Sequence, residues 1–194
     1  MPPSSIPSTP TATPDEEISV AREIGRVVHW CLKEISLRGE TFWISMSGAQ
    51  QLSLLNQWLD QNGIPTEVQP HACNRAKRAI CNMLEDSRGK WILNTSHPEA
   101  DSELKLTGRF QGKIRTVILD RTFVFEGTRW IIDYKTVENN DTDPESFLEI
   151  TWQHYRAQLE CYADMFRKME TWPIRLGLYF PMLQPCGWKE WPYE

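Results

Sequence analysis

The stretch Ile118-Leu-Asp-Arg-Thr-Phe-Val-Phe-Glu-Gly-Thr-Arg-Trp-Ile-Ile-Asp-Tyr-Lys-Thr136 decides how this chain folds. Its β-branched and aromatic residues fall in two runs, 115–124 and 129–136, on either side of Glu126-Gly127. Glu-Gly is a turn signal, weaker than Asn-Gly, and a short loop centred on it makes the two runs a hairpin. In that register paired residue numbers sum to 253, so Asp120 falls opposite Asp133. Side chains alternate along a strand, so Ile131, Asp133 and Lys135 share a face and Asp120, Asp133 and Lys135 converge. Opposed carboxylates repel, and a cation between them relieves the repulsion. Oxygen donors of this kind suit Mg²⁺, with Mn²⁺ as the alternative. On spacing alone, a solvent-facing hairpin side carrying two acids beside a Lys and an Arg is an equal reading.

Working outward, the pattern before the hairpin is helical. Val20, Ile24, Val27, Cys31 and Ile35 form one apolar stripe, with Asp15, Glu16 and Glu17 where a helix N-terminus favours carboxylates. A second helix is expected over 49–61, ending at Asn62-Gly63, and a third over 73–85. Trp91 to Leu93 reads as a short strand, and Glu103 to Leu106 alternates as a strand does. Residues 138–149 hold five acids and no base, and read as a loop. A long helix is expected over 147–169, then a strand over 174–180 and a tail rich in Trp and Pro. Helices, a meander of strands, a helix and a strand make a layered α/β or α+β domain.

Composition bounds the rest. The chain has 194 residues, enough for one domain, and nine Trp to fill its core. Residues 1–14 hold five Pro among Ser and Thr and read as a disordered tether, leaving 15–194 as a single domain. The longest uncharged run, 41–59, is broken by polar residues, so no membrane partner is expected, and no secretory signal opens the chain. Five Cys without a C-x-x-C pair suit reduced thiols and a cytoplasmic location. The net charge of −5 argues weakly against a free-standing nucleic-acid binder. The acids of 138–149 account for all of it, leaving Arg75, Lys77, Arg78, Arg88 and Lys90, or Arg156, Arg167 and Lys168, as candidate basic faces.

The run with Asp120 and then Asp133-Tyr134-Lys135-Thr136 resembles the D…D-x-K core of the PD-(D/E)XK nuclease superfamily. More narrowly, it resembles the RecB-like nuclease domain at the C-terminus of bacterial helicase–nucleases of the RecB, AddA and UvrD types. Ala21 to His29 is similar to that family's G-x-x-x-H helix, with Gly25 and His29 on one face. Tyr155 to Tyr162 is similar to its Q-x-x-x-Y helix through Gln158 and Tyr162, though Tyr162 also falls on the apolar stripe. Glu103 sits on a segment like the family's acidic strand, a weaker match because exposed strand Glu is common. There are departures: Leu119 replaces the namesake Pro, and the Gly two residues before Asp120 is missing.

The resemblance implies a restriction-endonuclease-like core, a central mixed β-sheet flanked by helices. It implies a metal held by His29, Asp120, Asp133 and the Tyr134 carbonyl, with Lys135 catalytic and Gln158 and Tyr162 beside it. The implied activity is Mg²⁺-dependent hydrolysis of DNA, exonuclease rather than endonuclease, in repair and recombination. The implied partners are a DNA strand or duplex end and a helicase motor, for which this chain carries no phosphate loop of its own. With Cys186 the lone late cysteine, no iron–sulfur cluster is expected. The alternative is a nuclease fold without chemistry, acting as a scaffold or docking module of a helicase.

Overall fold

The computed structural model describes residues 14–110, 112–139 and 143–194. The expected tether lies outside these, apart from Pro14, which opens the first helix. A five-stranded mixed sheet in the order β1-β2-β3-β4-β5 forms the middle layer. Its strands are β1 Asp101–Phe110, β2 Lys113–Phe125, β3 Thr128–Tyr134, β4 Ile174–Phe180 and β5 Gly187–Tyr193. Neighbours are antiparallel except β3 and β4, which are parallel because α6 (Pro144–Phe166) carries the chain across between them. This is the expected α/β architecture of a sheet between helices.

The other helices cover the opposite face. They are α1 Pro14–Arg38, α2 Thr41–Ile44, α3 Gly48–Gln61, α4 Gln69–Glu85 and α5 Ser87–Leu93. Two cores result, one per face. The stripe Ile24, Val27, Cys31 and Ile35 of α1 packs with Trp43, Leu55, Ile80 and Met83 onto Phe123, Trp130, Ile132 and Tyr134 of the sheet. Leu159, Tyr162, Ala163 and Phe166 of α6 pack onto Leu119, Ile131, Leu176 and Leu178.

The hairpin forms as its sequence demands. Arg121 pairs with Ile132 and Phe125 with Thr128, in the register that sums to 253. Glu126 and Gly127 both take positive φ, 50° and 70°, as a two-residue hairpin turn of the favoured twist requires.

Several expectations change. Trp91–Leu93 is the last turn of α5, because the Asp86 side chain caps that helix by accepting from Gly89 N at 2.8 Å. Trp91 then packs edge-on against Phe123, Phe125 and Trp130, which accounts for its strand-like composition. The α6 helix begins inside the expected loop, where Asp143 caps it and Pro144 occupies the first turn. The Trp- and Pro-rich tail supplies β5, with Trp191 buried against the α6 face.

Candidate metal centre

The first local fact is a reversal of side-chain direction in the outer strands. Residues two apart on a strand normally share a face. Ser102 and Arg121 face the α1 and α5 side, where Ser36 lies 2.7 Å from Ser102 and Arg121 donates to the Ile92 and Asn94 carbonyls. Leu104 and Leu119, two residues further, pack on the α6 side. The switch falls at Glu103, whose φ of 55° is left-handed, and at Asp120. The β2–β3 ladder ends at Arg121–Ile132, one step before Asp120 and Asp133. Asp120 instead accepts from the Tyr134 backbone N–H through Oδ2 at 2.8 Å.

This turned-out row of acids meets α1. His29 Nδ1 lies 3.2 Å from Asp120 Oδ1 and 3.9 Å from Glu103 Oε1, and its Nε2 lies 3.1 Å from the Tyr134 carbonyl. Gly25 lets the helix come this close, since a Cβ there would stand 3.2 Å from Thr136 Oγ1. Among the described residues, His29, Glu103 and Asp120 are the group whose donor atoms, all within 4.8 Å of one another, could share one metal ion. One imidazole with two carboxylates and a nearby carbonyl suits a hard or borderline divalent cation. The donors line a cleft of about 400 Å³, with Arg26, Trp30, Lys33, Trp58 and Ile118 completing its wall.

Asp133 and Lys135 stand beside this group. Lys135 Nζ is 2.6 Å from Asp133 Oδ2 and 3.6 Å from the centre of the Tyr155 ring on α6. Asp133 Oδ2 is buried, and its partner among the described residues is that ammonium. Gln158 donates to the Tyr162 hydroxyl at 2.5 Å, and Tyr162 is buried against the sheet. The structure thus brings His29, Asp120, Tyr134 and Glu103 to one point, and Asp133, Lys135, Gln158 and Tyr162 around it. Glu103, the weakest match by sequence, joins Asp120 as a carboxylate facing His29 Nδ1. Its one local signal was the acid itself, since nothing nearby announces the positive φ.

The electrostatics are those of a site missing positive charge. Burial works to lower the His29 pKa, but Asp120, by charge and hydrogen bond, with Asp133 and Glu103, pushes it up to about 9. Burial and then the Asp120 charge push Asp133 up to about 7, against Lys135 and His29. Burial would raise Asp120 too, yet His29 and the Tyr134 N–H hold it below the usual carboxylate range. In Glu103, burial and the Asp120 charge raise the carboxyl.

The candidate basic faces are largely spent within the fold. Arg75 and Arg78 pair with Glu138, Arg156 with Glu160, and Lys168 donates to the Arg109 carbonyl. No helix among the described residues is long and apolar enough to cross a membrane.

Comparison with known proteins agrees with this architecture. No curated protein matches the chain. A crystal structure of protein VC1899 from Vibrio cholerae is similar over 73% of this chain at 14% identity, with a TM-score of 0.22. The chain spans 44% of that protein's length, and at that score the likeness carries no argument. A family model does match, over residues 6–185, which take in helices α1 to α6, strands β1 to β4 and the acidic row, and by it the chain belongs to the PD-(D/E)XK nuclease superfamily.

Proposed function

We propose that this chain is a metal-dependent deoxyribonuclease that hydrolyses phosphodiester bonds of DNA. The observation that carries the reading is the meeting of His29, Glu103 and Asp120 within 4.8 Å, one residue-row from an Asp133–Lys135 ion pair. His29, Asp120 and Glu103 would hold the ion, with Asp133 and the Tyr134 carbonyl at its border, and Mg²⁺ or Mn²⁺ is the cation these donors favour. Bound there, a divalent cation supplies positive charge to the scissile phosphate and acidity to a water.

The chain's own groups do the rest. Lys135 Nζ, aimed by Asp133 and the Tyr155 ring, offers N–H donors to the attacking oxygen and offsets charge building on the phosphate. The Tyr162 hydroxyl accepts from Gln158, so its own hydrogen is free to be donated to a phosphate oxygen. Lys33 on the cleft wall attracts the strand.

By the resemblance of Asp133-Tyr134-Lys135, His29 and Gln158–Tyr162 to RecB-like domains, the reading extends to an exonuclease in DNA repair and recombination. It would work beside a helicase motor in the cytoplasm. A digestion assay on linear and circular DNA, with Mg²⁺ and with EDTA, tests it. Cleavage that requires the metal and starts from ends is expected. Nicking of closed circles would redirect the reading to an endonuclease, and no cleavage by the purified chain or its helicase complex would leave the scaffold alternative standing.

A further inference from the structure

Beyond Asp120 the β1–β2 hairpin packs on α6 by one face and leaves the other open. Its residues 104–119 include Lys105, Arg109, Lys113 and Arg115 and not one acid. Among the described residues none of these four takes part in an ion pair.

The two faces of this arm differ. Directly paired residues share a face. Leu104 with Leu119, Leu106 with Val117, and Gly108 with Arg115 lie toward α6, where Gly108 packs against Met165. Lys105 with Ile118, Thr107 with Thr116, and Arg109 with Ile114 lie on the other face, all six exposed. The Thr107 and Thr116 hydroxyls meet at 2.9 Å in its middle. Ile118 also lines the metal cleft beside Asp120, so this face runs out of the cleft without a break. Ile114 and Ile118 are 75% and 53% exposed, large apolar side chains in open solvent. From Asp120 to Ile114 the strip runs about 20 Å at strand rise.

We infer that this strip, Lys105, Arg109, Ile114 and Ile118, is a track for an unpaired DNA strand entering or leaving the metal cleft. Lys105 and Arg109 neutralise phosphates, while the two isoleucines offer apolar surface to the bases, which a duplex keeps stacked inside. A second copy of the chain suits the strip less well, because its own cations would face each other. The inference rests on the nuclease reading for the strand's destination, and on charge and register for its path.

Salt dependence of binding tests it. Binding of a single-stranded oligonucleotide by the full chain is measured in EDTA against salt concentration, for wild type, Lys105→Gln/Arg109→Gln and Lys113→Gln/Arg115→Gln. Both pairs remove the same charge from the same exposed arm, and thermal melts confirm that each still folds. Each phosphate neutralised on a single strand contributes a slope of about 0.7, so the first pair should flatten the plot by about 1.4. The second pair should leave both slope and cleavage near wild type. Equal slopes for the two pairs, or wild type with no salt-dependent binding, would overturn the track. A strip that instead mediates a concentration-dependent dimer in sedimentation, with the slope unmoved, would overturn it as well. If wild type cuts no DNA while the slope difference persists, the nuclease reading fails and the track stands.

Discussion

The inner and outer halves of the sheet are made to different rules. Strands β3 and β4 are buried almost throughout, because helices cover both of their faces. The outer arm of β2 is exposed over its first four residues, and β1 alternates between exposed and half-buried from Leu104 onward. Parallel pairing belongs to the buried half, whose Ile, Leu, Tyr and Trp read as continuous apolar runs. The exposed half alternates, with Thr and cations facing solvent. The acidic row Glu103, Asp120 and Asp133 lies on the seam. One half supplies rigidity to the Asp133–Lys135 pair, and the other supplies an open approach.

The comparison breaks most severely if the rigid half is not where the chemistry sits. Lys135→Ala or Asp133→Asn should lower the cleavage rate by at least about a hundredfold to a thousandfold with the fold intact, since each removes a preorganised charge from the proposed reacting centre. Wild-type rates from either purified variant would refute the assignment. Next in size is stability. Phe123→Ala or Trp130→Ala should cost about 3–5 kcal/mol in urea unfolding, because both rings are packed on the α1 side. Ile114→Ala on the arm should stay within about 0.5 kcal/mol. Comparable losses at Phe123 and Ile114 would erase the distinction between the halves.

The buried half was the legible one. The Glu126-Gly127 turn, the register of β2 on β3, and β4 over Ile174–Phe180 all follow from local composition and turn chemistry. The α1 stripe and the helix over 49–61 were equally plain, because an apolar period of 3.6 needs no tertiary help to be seen. What escaped was decided at a distance. Trp91 has strand composition but is taken by α5 through the Asp86 cap, and β5 exists because β4 offers it a free edge. At the site, His29, Asp120 and Asp133 stood out by spacing and resemblance, whereas the place of Glu103 depends on one left-handed residue that reverses the strand's faces. The basic arm is hidden in the net charge, because the acids of 138–149 outweigh the four cations of 104–119.

A finer test of the seam uses pH. His29 is raised from its ordinary 6.5 to about 9, so its contribution is complete below about pH 6.5 and is lost as pH rises through 9. Asp133 is raised from 3.8 to about 7, so the stability tied to its neutral form is lost as pH rises through 7. Both act in one direction, and the metal-free chain should unfold at progressively lower urea between pH 6 and 9. Metal should bind more tightly over the same interval, because it displaces the His29 proton, by up to about tenfold per pH unit. Calorimetry in buffers of different ionisation enthalpy should register proton release on binding, and His29→Gln should remove most of it. A metal-free chain that gains stability from pH 7 to 9 would show that the acidic row is not charged as described.

The smallest expected effect lies on α6, the helix that reaches the seam from the side opposite α1. Among the described residues, Gln158 hydrogen-bonds the Tyr162 hydroxyl and neither His29 nor the carboxylates. Tyr162 is itself buried, with its ionisation suppressed by burial and by the Asp133 and Asp120 charges, so it remains a neutral donor. Gln158→Ala should therefore leave metal affinity unchanged and slow cleavage by only severalfold, because the hydroxyl keeps its place but loses the bond that orients its hydrogen. Tyr162→Phe should slow cleavage to a similar degree, and the double variant should be no slower than Tyr162→Phe alone. If the two losses multiply instead, Gln158 acts on the strand directly, and the α6 face shares substrate contact with the open arm.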